Sequence, residues 1–278
     1  MGYLHIENLY KNQDILLFKE CYAMEKIHGS SAHVTLTQGQ LNFSAGGQSQ
    51  ELFIKLFPSD LLDKVSQYGY DVTIYGEVYG AKCQGMKDTY GNDLKFVVFD
   101  IQVAGVWLPV PEAEEMSNHL GLEFIHYVKV STDMQYLNEQ RDADSIQSFK
   151  NGLGLGHKRE GVVLRPLIEV NRADGSRVIC KHKRDDFRET ATPRVVGAAT
   201  EVLAEANAIA TEWVTTTRLQ HVLDKIPGHN ISMMAKVIAA MLEDVLREGK
   251  GEIVDSKEAR KAISQKTVAM YKEHLKNV

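Results

Sequence analysis

Short stretches of alternating apolar and polar residues dominate the first two-thirds of the chain. Residues 32–37 alternate, Gln38-Gly39-Gln40 supplies a turn, and residues 41–44 return, which is typical of a β-hairpin. The same kind of pattern predicts strands at 71–79, 94–103, 123–130, 160–165 and 177–181. These stretches therefore favour antiparallel sheets built from short strands.

Helical spacing appears between these strands and then takes over the chain. Residues 58–67, 111–119 and 133–141 predict short helices. After residue 190, apolar residues recur at three- and four-residue spacing over 195–215, 233–248 and 256–276, with Asp255-Ser256 as a cap for the last helix. The prediction is an α+β fold: a domain of sheets and helices over residues 1–190, then a small all-helical domain over 191–278.

Composition adds few constraints to this picture. The chain has 278 residues, a net charge of −5, and three cysteines without CxxC spacing. This favours a soluble intracellular protein without a disulfide framework or zinc cluster. We expect no signal peptide and no membrane span, and hence a cytoplasmic location, which would be the host cytoplasm for a viral protein. The net charge disfavours a basic nucleic-acid-binding module, so any binding of nucleic acid must depend on local basic patches such as residues 181–184.

One lysine stands in a segment that indicates covalent chemistry. Lys-x-x-Gly occurs four times, at Lys26, Lys82, Lys158 and Lys225, so the pattern alone carries no information. Lys26 differs because four further segments follow it in order. The five segments are Glu25-Lys-Ile-His-Gly29, Tyr75-Gly-Glu-Val-Tyr-Gly80, Phe99-Asp-Ile101, Glu160-Gly-Val-Val-Leu-Arg165 and Lys181-His-Lys183.

The ordered set resembles the covalent nucleotidyltransferase superfamily of polynucleotide ligases and capping enzymes. It is most similar to the bacteriophage RNA ligase 2 family, both in Lys-Ile-His-Gly and in the tail segment 215–226. The resemblance covers nearly the whole chain. It implies a nucleotidyltransferase (ligase adenylation) domain followed by a helical C-terminal domain, with Lys26 as the nucleophile.

The chemistry of a lysine nucleophile sets requirements that the sequence can meet. A lysine amine, with an ordinary pKa of about 10.4, is protonated at pH 7 and must become neutral to attack. Burial and nearby positive charge favour the neutral form. Lys181 and Lys183 alternate along a strand, so both side chains are expected on one face, near Lys26 and the phosphates of a nucleotide.

Two carboxylates and one aromatic residue complete the predicted nucleotide site. Glu77 lies between Gly76 and Gly80, which suits close approach of a ligand. Glu160 at a strand end suits a hard divalent metal. The resemblance implies that Glu77 contacts ribose, that Glu160 supports the metal and that Phe99 stacks on the purine base.

Four other residues carry weaker assignments. The resemblance implies a role for His28 in the steps that involve RNA. Asp100 is equally consistent with a site carboxylate or a structural acceptor, and Arg165 with a phosphate contact or a salt-bridge partner. The side chain of Glu25 is expected opposite to Lys26, while its backbone carbonyl could contact the adenine amino group.

The chain departs from the family pattern at two places. Ser30-Ser31 stands where the family has Thr-Asn, and residues 43–49 contain no arginine where one is expected, which leaves Lys55 as a candidate phosphate contact. Separately, Gly152-Leu-Gly-Leu-Gly156 could suggest dinucleotide binding. It lacks the strand–helix context of that motif, and we interpret it as a flexible loop.

The sequence therefore predicts an ATP-dependent RNA ligase that uses ATP and Mg2+ or Mn2+. Its expected partners are RNA, as nicked duplexes or strand ends, and DNA-containing hybrids. Three alternatives stay open: a small DNA ligase, whose tail would be a β-barrel, a capping-type guanylyltransferase, and a nucleic-acid-binding module without catalysis.

Overall fold

The computed structural model describes residues 2–198, 202–226 and 228–276. The chain folds into two compact units, Met1–Arg184 and Asp185–Val278. The sequence placed this boundary at residue 190, six residues further along the chain.

Nine strands form two sheets in the first unit. The four-stranded sheet has the order β7-β1-β8-β9 and the five-stranded sheet the order β3-β2-β4-β5-β6, and every pairing between these strands is antiparallel. The strands are β1 (Glu20–Lys26), β2 (Ser30–Thr37), β3 (Gln40–Ser44), β4 (Val72–Tyr79), β5 (Lys95–Val103), β6 (Val106–Trp107), β7 (Tyr127–Ser131), β8 (Gly161–Pro166) and β9 (Cys180–Lys183).

The first unit also contains six short α-helices, and the second contains four more among its described residues. They are α1 (Gln50–Ile54), α2 (Leu61–Ser66), α3 (Lys87–Tyr90), α4 (Val110–His119), α5 (Met134–Asp142), α6 (Ile146–Lys150), α7 (Ala206–Trp213), α8 (Thr216–Leu223), α9 (Met234–Glu248) and α10 (Lys257–His274). The predicted α+β fold with a helical C-terminal region is confirmed. Within the part of the chain that the structure describes, no helix is long and apolar enough to cross a membrane.

The alternation of β4 explains how the five-stranded sheet separates its core from its site. Val72, Ile74 and Val78 are buried in a cluster that includes residues of α1, α2 and α4. Glu77 is on the opposite face, because successive side chains of a strand point to opposite sides. Tyr79, two residues further on the face of Glu77, is buried in the same cluster, so this face is partly exposed only around Glu77.

Most predicted elements form, with shifted ends. The hairpin turns at Gln38 (φ 52°) and Gly39 (φ 73°), as two-residue hairpin turns require. The strand predicted at 123–130 begins only at Tyr127, and the one predicted at 177–181 is Cys180–Lys183. β1, which carries the lysine, was not among the predicted strands.

The second unit buries its own apolar cluster around Trp213, Leu223, Met241 and Ile263. Ser256 caps α10 by accepting a hydrogen bond from the N–H of Ala259 (3.0 Å), as predicted. The helix predicted over 195–215 occurs only as Ala206–Trp213; residues 199–201 of that prediction lie outside the described residues.

Candidate active site

Three strands bring two lysines into one row. β1 pairs with β8 so that Lys26 is opposite Gly161, and β8 pairs with β9 so that Gly161 is opposite Lys183. Residues in one row of a sheet project from the same face. A Cβ at Gly161 would lie 2.2 Å from the carbonyl oxygen of His182, so this position excludes a side chain. Lys26 and Lys183 thus flank a position without a side chain.

The carboxylate of Glu160 joins these lysines. Oε2 lies 2.8 Å from Nζ of Lys26 and 3.2 Å from Nδ1 of His28, while Oε1 lies 2.8 Å from Nζ of Lys183. Glu160 is 2 % exposed. We expected the positive charge of Lys183 to act directly on Lys26, but a buried carboxylate stands between the two amines.

Glu160 is held in its ionised form. Burial opposes the charge, but Lys183, Lys26 and His28 outweigh burial and keep the pKa of the carboxyl well below its usual range. The backbone fixes its place, since the N–H of Glu160 donates to the carbonyl of Lys26 (3.0 Å).

The donor set does not form a resident metal site. Both oxygens of Glu160 contact cationic groups, and the described residues contain no group of three His, Cys, Asp or Glu side chains placed to hold an ion. A hard divalent cation binds several oxygen ligands. A metal at Glu160 would therefore need most of its ligands from a bound nucleotide.

The segment after Lys26 is pinned to the other sheet. The N–H of Gly29 donates to Oε1 of Glu77 (3.1 Å), and the N–H of His28 donates to the hydroxyl of Tyr90 (3.3 Å). A Cβ at Gly29 would lie 2.4 Å from the carbonyl oxygen of Val78, so the close approach requires glycine. Glu77, predicted from sequence, lies beside the nucleophile segment. Tyr90 was missed, since no local motif marks it.

The glycines that flank Glu77 serve protein packing, which corrects the sequence interpretation. A Cβ at Gly76 would lie 2.3 Å from the ring of Phe96 and 2.4 Å from the carbonyl oxygen of Val97. At Gly80 (φ 80°) it would lie 2.3 Å from the carbonyl oxygen of Asp93. These positions therefore leave room for neighbouring chain segments rather than for a ligand.

Glu25 anchors the nucleophile strand through its carboxylate. Oε1 accepts from the hydroxyl of Ser145 (2.6 Å), and Oε2 accepts from the N–H groups of Ile146 (3.0 Å) and Gln147 (3.3 Å) at the start of α6. Burial raises the pKa of Glu25, against the lowering effect of Arg159 and these donors. The side chain thus has a structural set of partners, as its expected orientation opposite Lys26 suggested.

Phe99 occupies an irregular position in β5. Tyr75 pairs with Asp100 and Gly76 with Val98, so Phe99 is the extra residue of a β-bulge. Bulges redirect side chains and are common beside active sites. The ring of Phe99 is half-buried, and the ring of Tyr3 contacts it at 4.8 Å between centroids.

Asp100 and Arg165 lie together in a buried ionic cluster. Oδ1 of Asp100 lies 3.0 Å from Arg165, and Oδ2 lies 2.6 Å from Arg177 and accepts from the hydroxyl of Tyr3 (2.7 Å). Asp100 is 0 % exposed and Arg165 is 1 % exposed. Of the alternatives left open by the sequence, this geometry favours a structural acceptor and a salt-bridge partner.

The predicted alternation along β9 is present. Lys181 and Lys183 are partly exposed, while His182 between them is buried and its Nε2 lies 2.8 Å from Oδ1 of Asn138 on α5. Burial and, to a smaller extent, the positive charge of Arg141 lower the pKa of His182 to about 4, against the raising effect of Asp142. Lys181 lies opposite Val163, on the same face as Lys183.

Lys55, the candidate phosphate contact, lies in an exposed ion pair. Its amine pairs with Glu51 at 2.6 Å, one helical turn away, and both side chains are exposed. In the segment that lacks the family arginine, a Cβ at Gly46 (φ 60°) would lie 2.4 Å from the carbonyl oxygen of Ser31. This turn packs against the backbone, so a side chain at residue 46 has no room.

The two antiparallel sheets, with the lysine row on one and Glu77 on the other, have the fold of solved RNA ligases. The chain matches the RNA ligase family over residues 19–183, more than half of its length. It therefore belongs to the RNA ligase family.

Similar solved structures include three of the Naegleria gruberi RNA ligase. The complex with pyrophosphate is 14 % identical, has a TM-score of 0.52 and covers 67 % of this chain and 57 % of that chain. Two single-residue variants of that ligase also match with 14 % identity and a TM-score of 0.51. The variant with AMP and Mn covers 67 % of this chain and 57 % of its own chain. The variant with ATP and Mn covers 67 % of this chain and 56 % of its own chain. At this identity the likeness shows the fold alone.

The chain spans 57 % of the length of the first of these relatives. No curated protein sequence matches it.

Proposed function

We propose that this protein is an ATP-dependent RNA ligase of the RNA ligase 2 type that works through a lysyl-AMP intermediate. The observation that carries the proposal is the cluster in which Glu160 joins Lys26, Lys183 and His28. Family membership supports the same conclusion.

Lys26 forms the covalent bond. Its neutral Nζ attacks the α-phosphorus of ATP, a P–N bond forms, and the bond to the β-phosphate breaks to release pyrophosphate. An ammonium has no lone pair, so Nζ must release one proton to solvent before it attacks, and the neutral amine keeps N–H groups that can still donate to Glu160. Glu160 thus holds the amine at the site in the absence of nucleotide.

The remaining steps return the lysine to its starting state. An oxygen of a strand's 5′-phosphate attacks the same phosphorus, and the P–N bond breaks as the lysine nitrogen takes up a proton from solvent. The 3′-hydroxyl of the second strand then attacks the 5′-phosphorus, which seals the phosphodiester and releases AMP. The amine of Lys26 is then ready for another cycle.

The surrounding residues bind charge and position groups. Lys183 and Lys181 share a face and provide positive charge for the phosphates. Glu77 and Phe99 are assigned to ribose and base, and His28 to the steps that involve RNA. A divalent metal, Mg2+ or Mn2+, would arrive with the triphosphate near Glu160 and neutralise charge on the leaving group.

Three buried free cysteines, Cys21, Cys83 and Cys180, support an intracellular and cytoplasmic location within this proposal. The helices of the second unit argue against a DNA ligase with a β-barrel tail.

A sealing assay tests the function. Matched nicked RNA, nicked DNA, hybrid and single-stranded substrates are incubated with ATP and either metal, beside a GTP control. We expect sealing of an RNA substrate with ATP, and none with Lys26→Ala. Labelling by GTP alone would favour a capping enzyme, and RNA binding without any adduct would favour a non-catalytic module.

A further inference from the structure

Two loops lie side by side in the first unit. The first, residues 81–91, is closed by the hydrogen bond from the N–H of Ala81 to the carbonyl of Gly91 (2.9 Å). The second, residues 144–158, includes the short helix α6 and is closed by the bond from the N–H of Ser145 to the carbonyl of His157 (2.7 Å). The amide of Asn151 donates to the carbonyl of Tyr90 (2.9 Å) and joins them. We call them the paired loops.

Both loops are attached to the nucleophile segment. Tyr90 of the first accepts from the N–H of His28, and Ser145 at the base of the second donates to Glu25. The second loop ends two residues before Glu160, the partner of Lys26. The paired loops therefore border the proposed site of adenylylation.

The second loop exposes apolar side chains that the protein does not cover. Phe149 is 57 % exposed, Leu153 39 % and Leu155 67 %. Gly152, Gly154 and Gly156 have φ values of 84°, 84° and 92°, a region that favours glycine. The glycines account for the backbone conformation of the loop. They do not account for the exposure of Leu153 and Leu155, which lie between them. Clustered exposed apolar side chains mark contact surfaces.

We call Phe149, Leu153 and Leu155 the apolar tip. The net charge of the paired loops around this tip favours binding of a polyanion. The paired loops, residues 81–91 and 144–158, together contain four lysines and two aspartates, with no arginine or glutamate, and one of these lysines, Lys150, pairs with Glu123 outside the loops. Their net charge of +2 contrasts with −5 for the whole chain. Positive charge beside exposed apolar side chains suits a strand whose backbone is acidic and whose bases have apolar faces.

We propose that the paired loops bind the substrate strand at its end, with Phe149, Leu153 and Leu155 against the face of an unstacked base. Lysines of the same loops then lie along the phosphates. Aromatic and aliphatic side chains stack on bases or wedge between them in many nucleic-acid complexes. The inference rests on the proposed function and names the surface that receives its RNA.

The test compares RNA binding with lysine labelling in the full chain. The triple variant Phe149→Ser/Leu153→Ser/Leu155→Ser is matched with Ile168→Ser, which replaces a side chain 68 % exposed on a different loop. Binding to a nicked RNA duplex is measured by fluorescence anisotropy at one fixed salt concentration, since affinity depends steeply on salt. Unfolding curves confirm that both variants are folded.

We expect the triple variant to bind RNA about tenfold to hundredfold more weakly, and to become labelled from ATP at the wild-type rate. Ile168→Ser should change neither property. Unchanged RNA affinity in the triple variant would overturn the inference, as would an equal loss in Ile168→Ser. A change from self-associated to monomeric protein with unchanged RNA affinity would instead assign the tip to a second copy of the chain. Failure of the wild type to form an adduct would refute the ligase proposal, while the binding comparison would still decide the role of the loops.

Discussion

Glu160 and Lys26 form an ion pair in which Oε2 and Nζ are 2.8 Å apart. The carboxylate is buried and the lysine side chain is one-quarter exposed. The nucleophile is therefore held at the site by a carboxylate, and its amine must lose a proton in order to react.

Replacement of Glu160 by Gln should impair both chemistry and stability. The loss of charge-assisted hydrogen bonds to Lys26 and Lys183 should slow labelling from ATP at least about tenfold. Removing the shared carboxylate from partly buried cations should lower the free energy of unfolding by about 3 kcal/mol. Glu20→Gln is the control, because Glu20 pairs with Lys129 in an exposed position. Equal effects from both variants would contradict a special role for Glu160.

The stability that Glu160 supplies should depend on pH in one direction. Its folded pKa lies well below the ordinary value of 4.5, so the unfolded chain binds more protons in that range. The contribution is complete above about pH 4.5 and is lost as the pH falls towards the folded pKa. Urea unfolding of wild type and Glu160→Gln should give a difference that is constant near neutral pH and shrinks in acid. A difference that grows in acid would be inconsistent with the ion pairs.

His182 should make the protein less stable at mildly acidic pH. Its pKa is about 4 in the folded state and 6.5 ordinarily, so the unfolded chain binds the additional proton between these values. The contribution is complete above about pH 6.5 and decreases by at most about 3 kcal/mol as the pH falls to about 4. His182→Gln should flatten the dependence of unfolding free energy on pH in this window, whereas the exposed His119→Gln should keep the wild-type slope. An unchanged slope in His182→Gln would show that another group titrates.

Glu25 should act by positioning the nucleophile strand. Glu25→Gln removes acceptor capacity for Ser145 and the first N–H groups of α6, at a cost of about 1–3 kcal/mol. We expect a lower maximal labelling rate with a smaller change in the ATP concentration at half-saturation. Ser145→Ala should act in the same direction and less strongly. A change confined to half-saturation would instead support direct contact with the nucleotide.

Asp100 should contribute to stability rather than to nucleotide transfer. Asp100→Asn weakens a buried cluster with Arg165 and Arg177 and should lower the free energy of unfolding by about 3 kcal/mol. Labelling per folded molecule should stay near wild type, and the exposed Asp63→Asn should change neither. Complete loss of labelling in folded Asp100→Asn would restore the site assignment.

Local periodicity predicted those parts of the site that depend on one strand. The alternation in β9 was sufficient to place Lys181 and Lys183 on one face. The bridging position of Glu160 was not predictable, because it depends on the register of three strands from distant parts of the chain. The β-bulge at Phe99 could not be predicted, because the pattern of apolar and polar residues in β5 does not reveal it.

Hydrogen-bond partners that are distant in the sequence could not be predicted either. Ser145 lies 120 positions from the Glu25 carboxylate that it binds, and no spacing rule connects them. The start of α10 was predicted because Ser256 is a usual capping residue. The start of α7 at Ala206 was missed because its cap is the side chain of Glu205, and glutamate is not among the residues usual at this position.

The central claim is that Lys26 carries the nucleotide, and peptide mapping of the adduct tests it most directly. Wild-type protein is incubated with α-labelled ATP and metal, digested, and analysed by mass spectrometry. We predict AMP on the peptide that contains Lys26, and no adduct in folded Lys26→Ala or Lys26→Arg. AMP on any other lysine, or wild-type labelling of Lys26→Ala, would contradict the account.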